Sequence, residues 1–199
     1  MEDHYYTVSG PGESLHKVKG SKHFGYVWNV QSEQDVKQRI EEIKKIHHSA
    51  RHHCYAWKLG LGEDRYRAND DGEPSNSAGK PIYRAILSAG ITNVLIVVVR
   101  YFGGTKLGVG GLIDAYRKAA KMAIEDTQVE QRYVKDRIKI SFPYAQMGFV
   151  MGLLKEMNLP VESPNFEITC TLETVIRGSE LVGFVNKVQD VEGIEVDQI

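Results

Sequence analysis

Six apolar residues, Val94 to Val99, follow one another without interruption behind Asn93. A continuous, mostly β-branched run of this length, bounded by turn signals, predicts a strand buried on both faces. Beyond Arg100-Tyr-Phe comes the glycine-dense stretch 103–111. Leu112, Ala115, Tyr116, Ala119, Ala120 and Ala123 then recur at helical spacing, so a helix is predicted from about Gly110 to about Asp126. Upstream, residues 5–30 read as extended, with a Gly-Pro-Gly turn after Val8. Ser32-Glu-Gln-Asp35 resembles a capping box and opens a helix whose stripe is Val36, Ile40, Ile43 and Ile46. Residues 54–59 and 65–68 are expected to pair as strands around a turn at 60–64. Another helix is expected from about Ala78, with Ser75 or Ser77 as its cap.

Residues 127–134 read as a junction, after which the pattern restarts. Arg137 to Phe142 alternates polar with apolar, 145–157 is helical with Met147, Val150, Leu153, Leu154 and Met157 inward, and 159–162 and 166–175 alternate around a turn at Ser163-Pro-Asn. A helix over 179–191 and a strand at 193–196 close the chain. The order β-α-β-β-α-β in the last 65 or so residues is the split βαβ, ferredoxin-like arrangement. The expected class is α+β, with domains at 1–132 and 133–199.

Composition narrows the functional classes only slightly. The chain has 199 residues, 42% hydrophobic and 26% charged, as in ordinary soluble domains. No apolar run approaches the ~18 residues that span a bilayer, and the polar start MEDHYYTV is not expected to be a signal peptide. Cys54 and Cys170 form no CxxC pair and are expected to be reduced thiols of a cytoplasmic protein. Net charge is −1, but its distribution is uneven. Counting along the sequence, residues 1–132 carry 19 basic against 16 acidic side chains and residues 133–199 carry 6 against 10. Between 80 and 121 stand Lys80, Arg84, Arg100, Lys106, Arg117, Lys118 and Lys121, with Asp114 as the sole acid. All seven histidines also lie in the first part. A basic region of this kind is compatible with a polyanionic partner.

The glycine stretch is the main candidate for chemistry. A glycine-rich turn between a buried strand and a helix start presents free backbone N–H groups and the positive end of the helix dipole. An anion or nucleic-acid phosphate could be held there by Gly103, Gly104, Gly108, Gly110 and Gly111, helped by Lys106, Arg100, Lys80 and His52. The competing explanation is a tight turn whose glycines permit positive φ and close packing. No Gly-Lys-Ser/Thr ends the loop, so it is not a Walker A element, and the third glycine of a dinucleotide fingerprint is missing. Asp70, Asp71, Glu73, Ser75 and Ser77 form a second possible polar site. Carboxylates there could bind a cation or move a proton, although Asp71-Gly72 is also an ordinary turn dipeptide. The segment His47-His48-Ser-Ala-Arg-His52-His53-Cys54 could hold zinc, but strand alternation separates His53 from Cys54, and a basic polar surface is preferred. No metal and no cofactor are expected.

Three segments taken together resemble the IMPACT (YigZ-type) family: 50–56 (ARHHCYA), 70–82 (DDGEPSNSAGKPI) and 93–112 (NVLIVVVRYFGGTKLGVGGL). The resemblance covers about residues 12–125, and the remainder looks like the extra C-terminal domain of the bacterial members. This sequence departs from the family's pattern at Asn76, more often Gly, at Ser77 for Thr, and at Asp114 for a basic residue. The resemblance implies a first domain like the second domain of a small-subunit ribosomal protein (ribosomal protein S5). It also implies a second domain similar to the ferredoxin-like last domain of elongation factor G. Eukaryotic members act in translational control by competing for the activator of an initiation-factor kinase. The expectation for this chain is therefore a non-enzymatic, translation-associated protein. It would bind RNA, the ribosome or a translation-related protein, and no membrane, through the 70–118 surface. The alternative is a small-molecule enzyme with a phosphate-bearing ligand at 103–111 and Asp71 or Glu73 in proton transfer or metal binding.

Overall fold

A computed structural model describes residues 3–199. Met1 and Glu2, part of the stretch read against a signal peptide, lie outside the described residues. Among the described residues no helix is long and apolar enough to cross a membrane. The chain divides into two compact units: Tyr5–Arg132, and the segment up to His4 together with Tyr133–Ile199.

In the larger unit, strands β1 (His4–Val8), β2 (Gly12–Val18) and β3 (Ser21–Asn29) precede helix α1 (Glu33–Ile46). The turn between β2 and β3 is two residues long, Lys19 and Gly20, both at positive φ (45° and 78°). That backbone twist is the one that matches a right-handed hairpin. Ser32 caps α1 as expected: its hydroxyl accepts from the Asp35 N–H, and the Asp35 carboxylate accepts from the Ser32 N–H. Strands β4 (His52–Lys58) and β5 (Tyr66–Asn69), helix α2 (Gly79–Ser88), strand β6 (Val94–Tyr101), helix α3 (Gly108–Glu125) and strand β7 (Val129–Tyr133) follow.

Five strands form one antiparallel sheet in the order β2-β3-β6-β4-β5. The strand expected to be buried on both faces is β6, at its centre. Val94, Ile96 and Val98 enter a core with Ile82 and Ile86 of α2 and Leu112, Tyr116 and Ala119 of α3. Leu95, Val97 and Val99 enter the opposite core with Val36 and Ile43 of α1. Two details differ from expectation. Residues 129–133, read as a junction, are a strand that pairs with β1. Ser75 and Ser77 do not cap α2: the Ser77 hydroxyl donates to the Pro74 carbonyl at 2.6 Å, and the Ser75 hydroxyl accepts from the Asn76 amide at 3.1 Å.

The smaller unit contains β8 (Lys135–Pro143), α4 (Met147–Glu156), β9 (Glu162–Phe166), β10 (Thr169–Arg177), α5 (Gly178–Val188) and β11 (Glu195–Gln198). Its sheet runs β11-β8-β10-β9, with every neighbouring pair antiparallel. Ile138, Ile140, Phe142, Leu172 and Ile176 pack against Val150 and Leu154 of α4 and Phe184 and Val188 of α5. The expected turn at Ser163-Pro-Asn instead lies within β9, an edge strand that pairs with a register shift opposite Thr171–Glu173. An edge position tolerates Pro164, which offers no N–H to a neighbour.

Candidate functional site

The polar stretch 70–79 is tied down by its own acids. The Asp70 carboxylate accepts from three backbone N–H groups, those of Asn76 at 2.8 Å, Ala78 at 2.9 Å and Gly79 at 2.8 Å. It therefore supplies, from eight and nine residues away, the cap that α2 lacks locally. Asn76 has φ +62°, a left-handed conformation that asparagine tolerates better than most residues and glycine adopts freely. The Asp71 carboxylate accepts from the His53 N–H at 2.6 Å, and the Asp71 carbonyl accepts from His52 Nδ1–H at 2.8 Å. The carbonyl of Asp70 accepts from the Cys54 thiol at 3.0 Å.

Glu73 reaches furthest inward. Its Oε1 lies 2.7 Å from Arg100 Nη1, with only 4% of the carboxylate side chain and 8% of the guanidinium side chain exposed. The hydroxyl of Tyr116, on α3, donates to the same oxygen at 2.8 Å. Among the described residues Arg100 Nε finds no hydrogen-bond partner, and neither does either ring nitrogen of His23. On the sheet His23 and His52 flank Arg100 in direct register, and His23 stands edge-on to Tyr116 with ring centroids 5.2 Å apart. Burial, reinforced by the Arg100 charge, pushes the His23 imidazole down to about 4. Burial likewise raises the Cys54 thiol and the Tyr116 hydroxyl above their ordinary ranges. These groups stay neutral around pH 7. The arrangement holds the 70–79 turn to the end of β6 and to α3.

The histidine segment does not converge on one point. His47 bridges two tyrosines, with Tyr26 Oη 2.7 Å from Nε2 and Tyr101 Oη 3.0 Å from Nδ1. His48 is exposed. His53 Nε2–H donates to the His47 carbonyl at 3.2 Å. No group of three or more potential metal ligands occurs among the described residues.

The glycine loop has parts with different roles. A Cβ on Gly103 would stand 1.8 Å from the carbonyl carbon of Gly20, so close backbone packing accounts for that glycine. Gly104 and Gly108 have φ of +88° and +74°, and the turn accounts for both. Gly110 has neither constraint: among the described residues nothing lies within 4 Å of where its Cβ would be. Gly111 would bring a Cβ to 3.1 Å from Leu107 Cβ, a tight contact but with one side chain only. The start of α3 at Gly108 has no side-chain cap, and Gly108, Val109 and Gly110 are exposed. Lys106 and Lys80 are exposed as well. Arg100, by contrast, spends its charge on Glu73. Residue spacing gave no sign of that pairing, nor of the part played by Tyr116 and His23. The sequence signal for the exposed Phe102 is a phenylalanine just past a strand end and before a glycine loop; Arg51, which shares a cleft with it, carries no such signal.

The sequence pattern of the Impact N-terminal domain matches residues 19–124, a span that contains the sheet, the 70–79 turn and the glycine loop. The chain is 32% identical over 180 residues to the IMPACT family member YvyE of Bacillus subtilis (strain 168), covering 90% of this chain and 83% of that protein. It is 26% identical over 184 residues to the IMPACT family member YigZ of Escherichia coli (strain K12), covering 92% and 90%. A crystal structure described as that of a hypothetical protein superposes with a TM-score of 0.77 at 24% identity, over 100% of this chain and 98% of that one. That likeness concerns the fold, mixed α and β throughout. The match across the sheet and its two loops, together with relatives alike over nearly the whole length, shows that the chain belongs to the IMPACT family.

Proposed function

We infer that this chain is a non-enzymatic, translation-associated protein that binds RNA through the surface built from residues 70–118. The larger unit would be an IMPACT-type domain of the ribosomal protein S5 domain 2-like kind. The smaller would be a ferredoxin-like domain similar to the last domain of elongation factor G. Its β-α-β-β-α-β order and antiparallel β11-β8-β10-β9 sheet favour that assignment.

One observation carries the RNA reading. The first turn of α3 is exposed and has no side-chain cap, and its Gly110 is required neither by φ nor by packing. Free N–H groups at the positive end of an 18-residue helix suit a phosphate. Lys106 stands in the same loop and Lys118 follows along α3, whereas Arg117 and Lys121 pair with Asp114 and Glu125 on the same helix. The surface there is open, which suits a polymer better than a small enclosed ligand. The alternative enzyme would need Asp71 or Glu73 for a substrate, whereas Glu73 neutralises Arg100 and Asp71 is held by His53.

Replacing Gly110 with Val tests this reading, because the site has room for a side chain. Binding of a labelled RNA, followed by fluorescence anisotropy, is expected to fall sharply while the melting temperature holds. RNA affinity that survives Gly110→Val, Gly111→Val and Lys106→Ala alike would make the loop structural.

A further inference from the structure

Phe102 is 60% exposed immediately beyond the end of β6, and a cleft opens on each side of it. One, of about 330 Å³, is lined by Gly20, Lys22, Phe24, His47, Tyr101 and Phe102. The other, of about 400 Å³, has Arg51, His52, Arg100, Tyr101 and Phe102 in its walls. Tyr101 and Phe102 are common to both. Among the described residues no carboxylate lines either cleft, whereas the hollow on the outer face of α3 includes Asp114 and Glu125. Each cleft therefore combines aromatic faces with at least one cation and no anion.

The clefts are rigidly furnished. His47 fixes the hydroxyls of Tyr26 and Tyr101 on its two ring nitrogens. A neutral imidazole donates from one nitrogen and accepts at the other. One of the two tyrosines therefore accepts from the ring and keeps its own O–H for another acceptor. Phe24 stands edge-on to Tyr101, with centroids 5.8 Å apart. In the second cleft the Arg100 guanidinium lies 5.7 Å from the Phe102 ring centroid, which occupies one face of that ring and leaves the other for a ligand. His52, held through Nδ1 by the Asp71 carbonyl, retains Nε2.

Volumes near the lower end of the usual ligand-pocket range, about 300–1,000 Å³, suit one base with its sugar in each cleft. We propose that Phe102 separates two successive bases of single-stranded RNA, one stacking on its free face and the next entering the second cleft beside the Arg100 guanidinium, with Lys22 and Arg51 serving the adjoining phosphates. This rests on the RNA reading above and adds to it that the strand is single and its bases unstacked. Bases in a duplex are stacked on one another and have no free faces to offer, and single strands are held by aromatic stacking. An acidic peptide would use the cations but gain little from the flat aromatic walls.

The test compares a labelled ten-nucleotide oligouridylate with an RNA duplex of the same length, using the full chain. Phe102→Ala is expected to weaken oligouridylate binding by about 10- to 100-fold. Its salt dependence should not change, because stacking releases no counterions. Duplex binding should stay as in the unaltered chain, and Phe102→Tyr, which keeps the ring, should retain most of the single-strand affinity. The exposed position makes an unchanged melting temperature the expected control. Equal loss for duplex and single strand, or no loss for either, overturns this role of Phe102 while leaving the glycine-loop reading intact. Displacement of the oligouridylate by oligoglutamate at equal concentration would point to a peptide site and also overturn it. An unaltered chain that binds neither RNA fails both readings.

Discussion

Removing the Glu73 carboxylate should cost more stability than any surface substitution in this protein. Arg100 and Glu73 are 8% and 4% exposed at the side chain, 2.7 Å apart, and the Tyr116 hydroxyl donates to the same carboxylate oxygen. Glu73→Leu would leave a buried guanidinium whose Nε already lacks a partner, and would leave the Tyr116 hydroxyl without its acceptor. Breaking a buried pair from one side costs about 3–5 kcal/mol. Removing both charges together is much less damaging, so Glu73→Leu combined with Arg100→Met should lose clearly less than Glu73→Leu alone. Trp28 and Trp57 are the only tryptophans and both lie in the Tyr5–Arg132 unit, so tryptophan fluorescence during urea unfolding reports on that unit. With an m-value of about 2 kcal/mol per molar, the single substitution should lower the midpoint by roughly 1.5–2.5 M. A loss below about 1 kcal/mol, or a double variant that simply sums the single effects, would refute the buried pair.

Other outcomes follow from the same geometry. His23 titrates near 4 in the folded chain against 6.5 unperturbed, so the unfolded chain binds the extra proton. Its contribution is complete above about pH 6.5 and is lost as pH falls toward 4, by roughly 3 kcal/mol in all. Urea midpoints of the unaltered chain should fall across that window while those of His23→Phe fall clearly less; parallel pH profiles for the two would refute the assignment. Gly103→Ala should be strongly destabilising because of the 1.8 Å clash, while Gly110→Ala, in open space on a helix, should raise stability by about 0.5–1 kcal/mol; thermal melts of the two variants decide it. Cys54 and Cys170 are free and buried, so a thiol reagent should find two reactive groups after denaturation and react slowly before it.

Much of the larger unit was legible because its signals are local or periodic. The run 94–99 fixed a central strand with two cores, and Ser32 with Asp35 fixed the start of α1. What escaped prediction depends on partners distant in the sequence. The cap of α2 comes from Asp70, a residue that composition marks only as a turn. Arg100 is not available to an anion because Glu73, 27 positions earlier, lies against it. Residues 129–133 show no strong alternation and become a strand because β1 lies beside them. The histidines of 47–53 are close in sequence, but the end of α1 and the alternation of β4 send them to separate partners. For the glycine loop, the sequence could not separate Gly103, set by contact with Gly20, from Gly110, which no contact requires.

The central claim is that the loop before α3 holds an RNA phosphate with the help of Lys106. The salt dependence of single-stranded RNA binding measures this directly, for the unaltered chain and for Lys106→Ala. Each phosphate contact contributes about 0.7 to the slope of log affinity against log salt concentration for a single strand. Lys106→Ala is expected to weaken binding at low salt and to reduce the slope by about that amount. An identical slope and affinity for the two proteins would contradict the claim.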